Sequence, residues 1–156
     1  MSDIKVIPFK YEYIDEMRIL IKDFIKYLNR IEDENPDADQ IAEKAISDIC
    51  NPEYPGHVLL AVNEKKQLIG LTSFNYEYWL ECGDKSAHIM ALSVKKESRG
   101  SGVGNLLLDA VEKEAKKQDC SYIRLTVHHR NDAAIDFYRK RGGRFDTSEI
   151  ILSWKA

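Results

Sequence analysis

The sequence is short of the residues that staple, anchor or charge a chain. Only three cysteines occur in 156 residues, Cys50, Cys82 and Cys120, far apart and with no C-x-x-C pair. That count excludes a disulfide framework and a zinc-ligand spacing, and it fits a reduced, cytoplasmic setting. Nowhere do eighteen apolar residues run together, and "MSDIKVIPFKYEY" has no apolar centre for a secretory signal. No membrane segment is expected. Cationic excess is missing too: 23 Lys and Arg against 26 Asp and Glu give a net charge of −3. Nucleic acid is therefore not expected as a partner, because binding a phosphate backbone calls for a cationic face. No repeat, low-complexity tract or linker interrupts the chain, so a single domain over 1–156 is expected.

What is present reads as alternating strands and helices. "IKVIPF" (4–9) has the look of a short strand. Ile14, Met17, Ile21, Phe24, Ile25 and Leu28 recur every three or four residues and form one apolar helix stripe. "NRIEDENPDAD" (29–39) reads as an acidic loop, with Asn35 and Pro36 as cap and first turn of a second helix reaching Ile49. "HVLLAV" (57–62) and "QLIGLTSFNYEYWL" (67–80) flank the turn "NEKK" as a hairpin, and "KSAHIMALSV" (85–94) adds a third antiparallel strand. A helix over about 103–118, a strand over 122–129, a helix over 131–141 and a closing strand over 144–154 complete the order β-α-α-β-β-β-α-β-α-β. This is an α/β (α+β) layer fold with a mostly antiparallel sheet and a parallel step around the glycine loop.

That step holds the most informative stretch, "ESRGSGVGNLLLDAVEKEA" (97–115). Glycines at 100, 102 and 104 let the backbone turn tightly and approach a ligand with no Cβ in the way. The first amides of the following helix point outward unpaired at its positive end, a natural nest for a diphosphate. Arg99 adds a cation suited to phosphate oxygens. A ligand-free turn is the competing reading of an isolated glycine motif. No lysine follows Gly104, so the stretch is not a nucleotide-hydrolysing P-loop, and its glycine spacing does not match a dinucleotide fingerprint.

The stretch from Val94 through Arg99 to Gly104 resembles the Arg/Gln-x-x-Gly-x-Gly/Ala signature of the GNAT superfamily of N-acetyltransferases. The strand before it, the helix after it and "NDAAIDFYRKRGGRF" (131–145), similar to that family's second motif, extend the resemblance over almost the whole chain. The resemblance implies acetyl-CoA as co-substrate with no metal, and a mixed sheet flanked by helices. Leu92 and Val94 would then hold the pantetheine arm like an added strand. Arg99, Gly100, Ser101, Gly102, Val103 and Gly104 would bind the pyrophosphate. Asn131, Ala134 and Tyr138 would flank the pantetheine and thiol, with Tyr138 as general acid at the departing thiolate.

The partner in proton transfer is less visible. Many relatives in that family carry a glutamate on the strand ahead of the glycine loop, where this chain has Met90 beside Ala91. Glu77 is the candidate catalytic base, with Glu81, His88, His128 and His129 nearby in sequence. A water relay, or capture of the small neutral fraction of the amine, is an alternative. His128 and His129 also invite a metal reading. If both lie in a strand they face opposite sides and cannot share one ion. Glu32, Asp33, Glu34, Asp37 and Asp39, with Tyr76, Tyr78 and Trp79, would suit a cationic amine, although capping and packing account for most of them. Arg139, Lys140, Arg141 and Arg144 read first as a helix end stopped at Gly142. The expected reaction is acetyl transfer to a primary amine in a ternary complex, rather than through Cys82 or Cys120. A non-catalytic acyl-CoA sensor is the alternative, and free strand edges with "IILSW" leave a homodimer open.

Overall fold

Hydrophobic patterning and turn chemistry divide the chain into five strands and four α-helices among residues 3–156, the residues that a computed structural model describes. They fall into two compact units, one ending at Thr126 and the other spanning Val127–Ala156.

The first unit is a five-stranded sheet ordered β1-β2-β3-β4-β5 with helices on both faces. Its strands are β1 (Lys5–Pro8), β2 (His57–Val62), β3 (Leu68–Trp79), β4 (Asp84–Val94) and β5 (Tyr122–Leu125). The first four pair antiparallel, and β5 joins β4 in parallel. Between β4 and β5 the chain crosses over through α3 (Val103–Lys117), the connection a parallel pair requires. Helices α1 (Ile14–Glu32) and α2 (Ala38–Ile49) cover one face. There Met17, Leu20 and Ile46 bury themselves with Leu60, Leu68 and Leu71. α3 covers the other face: a Cβ added at Gly70 would sit 3.1 Å from Val103 and 3.2 Å from Leu107. The glycine lets helix and strand come close.

Several expected boundaries move. The stretch 29–39 is helical through Glu32, and α1 stops where Asp33 takes a left-handed φ of 55°. The cap of α2 is Asp37 and not Asn35: its carboxylate accepts from the Gln40 amide at 3.0 Å. Asp37 stands three residues before Gln40, the reach a cap needs, whereas Asn35 is two residues further out. Asp37→Ala should cost about 1 kcal/mol, which for a chain of this size lowers Tm by about 2–4 °C. An unchanged melting curve would show the cap to be idle.

β5 ends at Leu125 instead of 129, because its partner changes course. β3 and β4 slip register between Ser73 and Phe74: Ser73 pairs with Ala91 and Phe74 with Ile89, leaving Met90 as an extra residue. The β4–β5 ladder closes its last pair at Ile89 and Leu125, at the edge of that bulge.

The second unit contains α4 (Asp132–Lys140). Its stop is a Schellman turn: Gly142 has φ 97°, its amide donates to the Arg139 carbonyl at 2.9 Å, and Gly143 donates to the Tyr138 carbonyl at 2.9 Å. The closing strand expected over 144–154 does not form among the described residues. "EIILSW" puts three apolar residues in a row, which specifies no single buried face. Ile150, Ile151, Leu152 and Trp154 are all exposed.

Candidate active site

The bulge at Met90 shapes the first part of the site. Up to Ile89, β4 is hydrogen-bonded on both sides; beyond it, β4 continues beside β3 alone. An extra residue strengthens local twist and ends pairing on one edge, so β4 and β5 part like the arms of a wedge. Leu92 and Val94 lie on the open arm, both half-buried.

At the wedge's open end the chain passes into the glycine loop. Gly100 and Gly102 have φ of 76° and 86°, left-handed values that favour glycine. A Cβ at either would meet nothing within 4 Å, so the loop faces open space. Gly102 is the N-cap residue of α3, and no acid occupies the first turn of that helix. The amides of Gly100, Ser101, Gly102, Val103 and Gly104 have no acceptor among the described residues. The Ser101 hydroxyl donates to the Ser98 carbonyl at 2.6 Å, which ties the loop back on itself. Arg99 is exposed, and its Nε donates to the Val94 carbonyl at 3.0 Å, fixing a guanidinium between strand and loop. Five unpartnered N–H groups, a helix start free of acids and one tethered arginine are the features that suit a diphosphate. The residues present therefore fit the phosphates of a coenzyme A.

On the α1/α2 face, at the wedge's closed end, lies a polar cluster. Glu77, Trp79, Ser86 and His88 share this face by strand register, as does Arg124, the β5 partner of His88. Glu77 Oε1 and His88 Nδ1 are 2.8 Å apart. Trp79 Nε1 donates to Ser86 Oγ at 3.1 Å, and the Arg124 guanidinium lies 4.1 Å above the Trp79 ring. Met90, where the family resemblance leads one to look for a glutamate, is exposed at the bulge. The sequence reading named Glu77 and His88 separately and missed their pairing. Counting outward from the turn after Trp79 sets Glu77 opposite Ser86, and so diagonal to His88.

The acidic segment is mostly structural. Asp37 caps α2, and Asp39 forms an ion pair with Lys22 that raises the lysine's pKa, chiefly through the hydrogen bond. Tyr76 packs edge-on to Phe74 and beside His57 on the opposite face of β3. Tyr78 is exposed. Of the cysteines, Cys82 lies in the turn after β3, while burial pushes the Cys120 thiol up, away from the thiolate an acyl carrier needs.

The second unit places the remaining candidates on or beside α4. Asn131 is buried, and its side chain accepts from the Ala134 amide at 3.3 Å, so it is first of all the N-cap of this helix. Ala134 and Tyr138, four apart, share a face, and both are half-buried. Burial pushes the Tyr138 phenol up to about 12. His128 and His129 lie outside any strand, so alternation does not separate them; their rings stack with centroids 4.5 Å apart. Among the described residues no three His, Cys, Asp or Glu are grouped to hold a metal ion. Arg139 lies over the Phe145 ring at 4.6 Å. Across both units, no described helix is long and apolar enough to cross a membrane.

Sheet order, bulge, wedge and glycine loop together define a mixed α+β fold whose sheet opens beside a glycine-rich turn. The sequence model of the acetyltransferase (GNAT) family matches residues 17–143, and the chain belongs to that family. It is 35% identical over 85 residues to YdhI of Bacillus subtilis, an uncharacterized protein, covering 54% of this chain and 48% of that one. It is 33% identical over 75 residues to the thialysine N-epsilon-acetyltransferase of Sus scrofa, covering 48% and 42% of the two chains. These alignments span about half or less of the curated relatives' length. A crystal structure of the ribosomal-protein-alanine N-acetyltransferase of Brucella melitensis superposes with a TM-score of 0.75 at 16% identity, covering 97% of this chain and 99% of that one. At that identity the likeness concerns the fold alone.

Proposed function

We propose that the chain, acting as one N-acetyltransferase domain, transfers the acetyl group of acetyl-CoA to a primary amine of a small molecule or peptide, by direct attack in a ternary complex. The observation that carries this reading is the five unpartnered amides of residues 100–104 at the mouth of the β4–β5 wedge. Phosphates on that nest direct an extended pantetheine arm along Leu92 and Val94 toward the bulge. The open edge of β4 there can hydrogen-bond its amides as an added strand would. The thioester then lies near Ile89 and Leu125, where the wedge closes. By the family resemblance Tyr138 would donate to the sulfur as the carbon–sulfur bond breaks, and a basic group, for which Glu77 is the sequence's candidate, would relieve the amine of its proton. The lysine-like substrate in the Sus scrofa relative's name points toward an aliphatic, cationic amine.

A panel of aliphatic, aromatic and amino-acid amines, assayed with acetyl-CoA by release of free thiol, tests this. Saturable thiol release with at least one cationic aliphatic amine is expected. Response only to neutral or anionic acceptors would overturn the cationic acceptor. Met90, in place of a carboxylate, favours one second reading, an acyl-CoA sensor without turnover. Acetyl-CoA binding with no thiol release by any amine would select it.

A further inference from the structure

We propose that His88 is the group that takes the acceptor amine's proton, with Glu77 as the positioning residue that orients its ring; this rests on the acetyl-transfer reading above. The wedge closes at Ile89 and Leu125. The strand positions at or next to that closure are occupied by Phe74, Asn75, His88, Met90 and Arg124 besides those two. Only His88 among them carries an imidazole, whose neutral ring keeps one nitrogen lone pair free to accept a proton. Arginine remains charged and the others do not titrate.

Its geometry suits the task. A carboxylate only accepts hydrogen bonds, so at the 2.8 Å contact His88 Nδ1 carries the hydrogen, whether the ring is neutral or charged, and in the neutral ring Nε2 is the unprotonated nitrogen. Nε2 is then left with its lone pair, ready to accept. The side chain of His88 is 20% exposed and that of Glu77 38%, so the pair is recessed yet reachable. By strand register Glu77 from β3 and Arg124 from β5 are the charged neighbours of His88, and Arg124 is drawn over Trp79. Among the described residues the only hydrogen-bond or ion-pair partner of His88 is Glu77. The negative carboxylate stabilises the imidazolium that forms, as an orienting acid does for a catalytic histidine.

The step balances as follows. The acceptor arrives as R–NH3+ and gives one proton to Nε2. Its nitrogen forms the C–N bond to the thioester carbon, and the C–S bond breaks. Of the two protons the nitrogen loses overall, one leaves through His88 to solvent. The sulfur gains one and departs as the free thiol.

The test uses the full chain with His88→Gln and Glu77→Gln, measuring kcat/KM from pH 6 to 10 for two amines of high and low pKa, with acetyl-CoA affinity measured separately. His88→Gln should lower kcat/KM for the basic amine about 10- to 100-fold near pH 7, with acetyl-CoA affinity unchanged. The deficit should shrink at high pH and for the amine already neutral. Glu77→Gln should give a smaller loss and move the acidic limb of the profile to lower pH, since the imidazolium loses its counter-charge. Nitrogen NMR of His88 should show the Nδ1–H tautomer in the parent and a mixture in Glu77→Gln. A loss equal at every pH and for both amines, or full activity in a folded His88→Gln protein, would sink the assignment while leaving acetyl transfer standing. A parent protein that binds acetyl-CoA but releases no thiol with any amine would overturn both.

Discussion

Tyr138→Phe is expected to lower kcat about 10²- to 10³-fold, in the range for removing one donor from a developing anion, while acetyl-CoA affinity should change little. Phenylalanine keeps the ring, so packing is preserved and only the hydroxyl is lost. Burial holds the Tyr138 phenol at about 12, so it is protonated at every working pH. Complete transfer from such a phenol to a thiolate of pKa about 8.5 would be uphill by roughly 5 kcal/mol. In the proposed reaction the hydroxyl would therefore work chiefly by hydrogen-bonding the sulfur as charge gathers on it, and the amine's released proton would complete the thiol. Two features fix its position on α4: Asn131 caps the start, and Gly143 donates to the Tyr138 carbonyl at the end. A Cβ at residue 143 would stand 2.8 Å from that carbonyl oxygen, which is why a second glycine follows Gly142. Steady-state kinetics beside calorimetric titration with acetyl-CoA separate the two effects. Equal losses in turnover and affinity would remove Tyr138 from the chemical step. The same raised pKa keeps Tyr138 from shaping the profile between pH 6 and 10, so limbs in that window belong to other groups.

Gly102→Val is expected to weaken acetyl-CoA binding at least tenfold, which corresponds to about 1.4 kcal/mol. The residue sits at φ 86° as the N-cap of α3. A left-handed conformation costs an L-residue about 1–2 kcal/mol and is least tolerated by β-branched side chains. Strain rather than crowding is the mechanism, because an added Cβ meets no atom of the chain within 4 Å. Valine either keeps the strain and projects over the amides, or relaxes and turns them away from the phosphates. Gly102→Asn is the control, since asparagine tolerates the left-handed region; it should melt closer to the parent than the valine variant does. Unchanged acetyl-CoA affinity in a folded Gly102→Val protein would move the phosphates elsewhere.

Much of the first unit was legible because its signals are local. The stripe through Met17 and Ile21, the turn after Val62 and the glycines before α3 each act over a few residues, and each element formed close to its expected place. Local reading failed where a partner decides. β5 was expected to reach residue 129 and ends at Leu125, because β4 leaves it at the bulge. The stretch 144–154, expected as a closing strand, forms no ladder, and its apolar run 150–152 is exposed. Histidines 128 and 129 were assigned to opposite faces of a strand that does not extend to them.

The sequence by itself determined the helices, the turns and the backbone conformations available at Gly100, Gly102 and Gly142, since periodicity, capping and a missing Cβ act between near neighbours. It also held the motif that marks the family. Only the tertiary structure decided that Met90 stands outside the β3–β4 register, that the sheet opens there, and that Glu77 meets His88. Those facts depend on how separate strands align, and strand register is settled by burial and hydrogen bonding summed over the whole sheet.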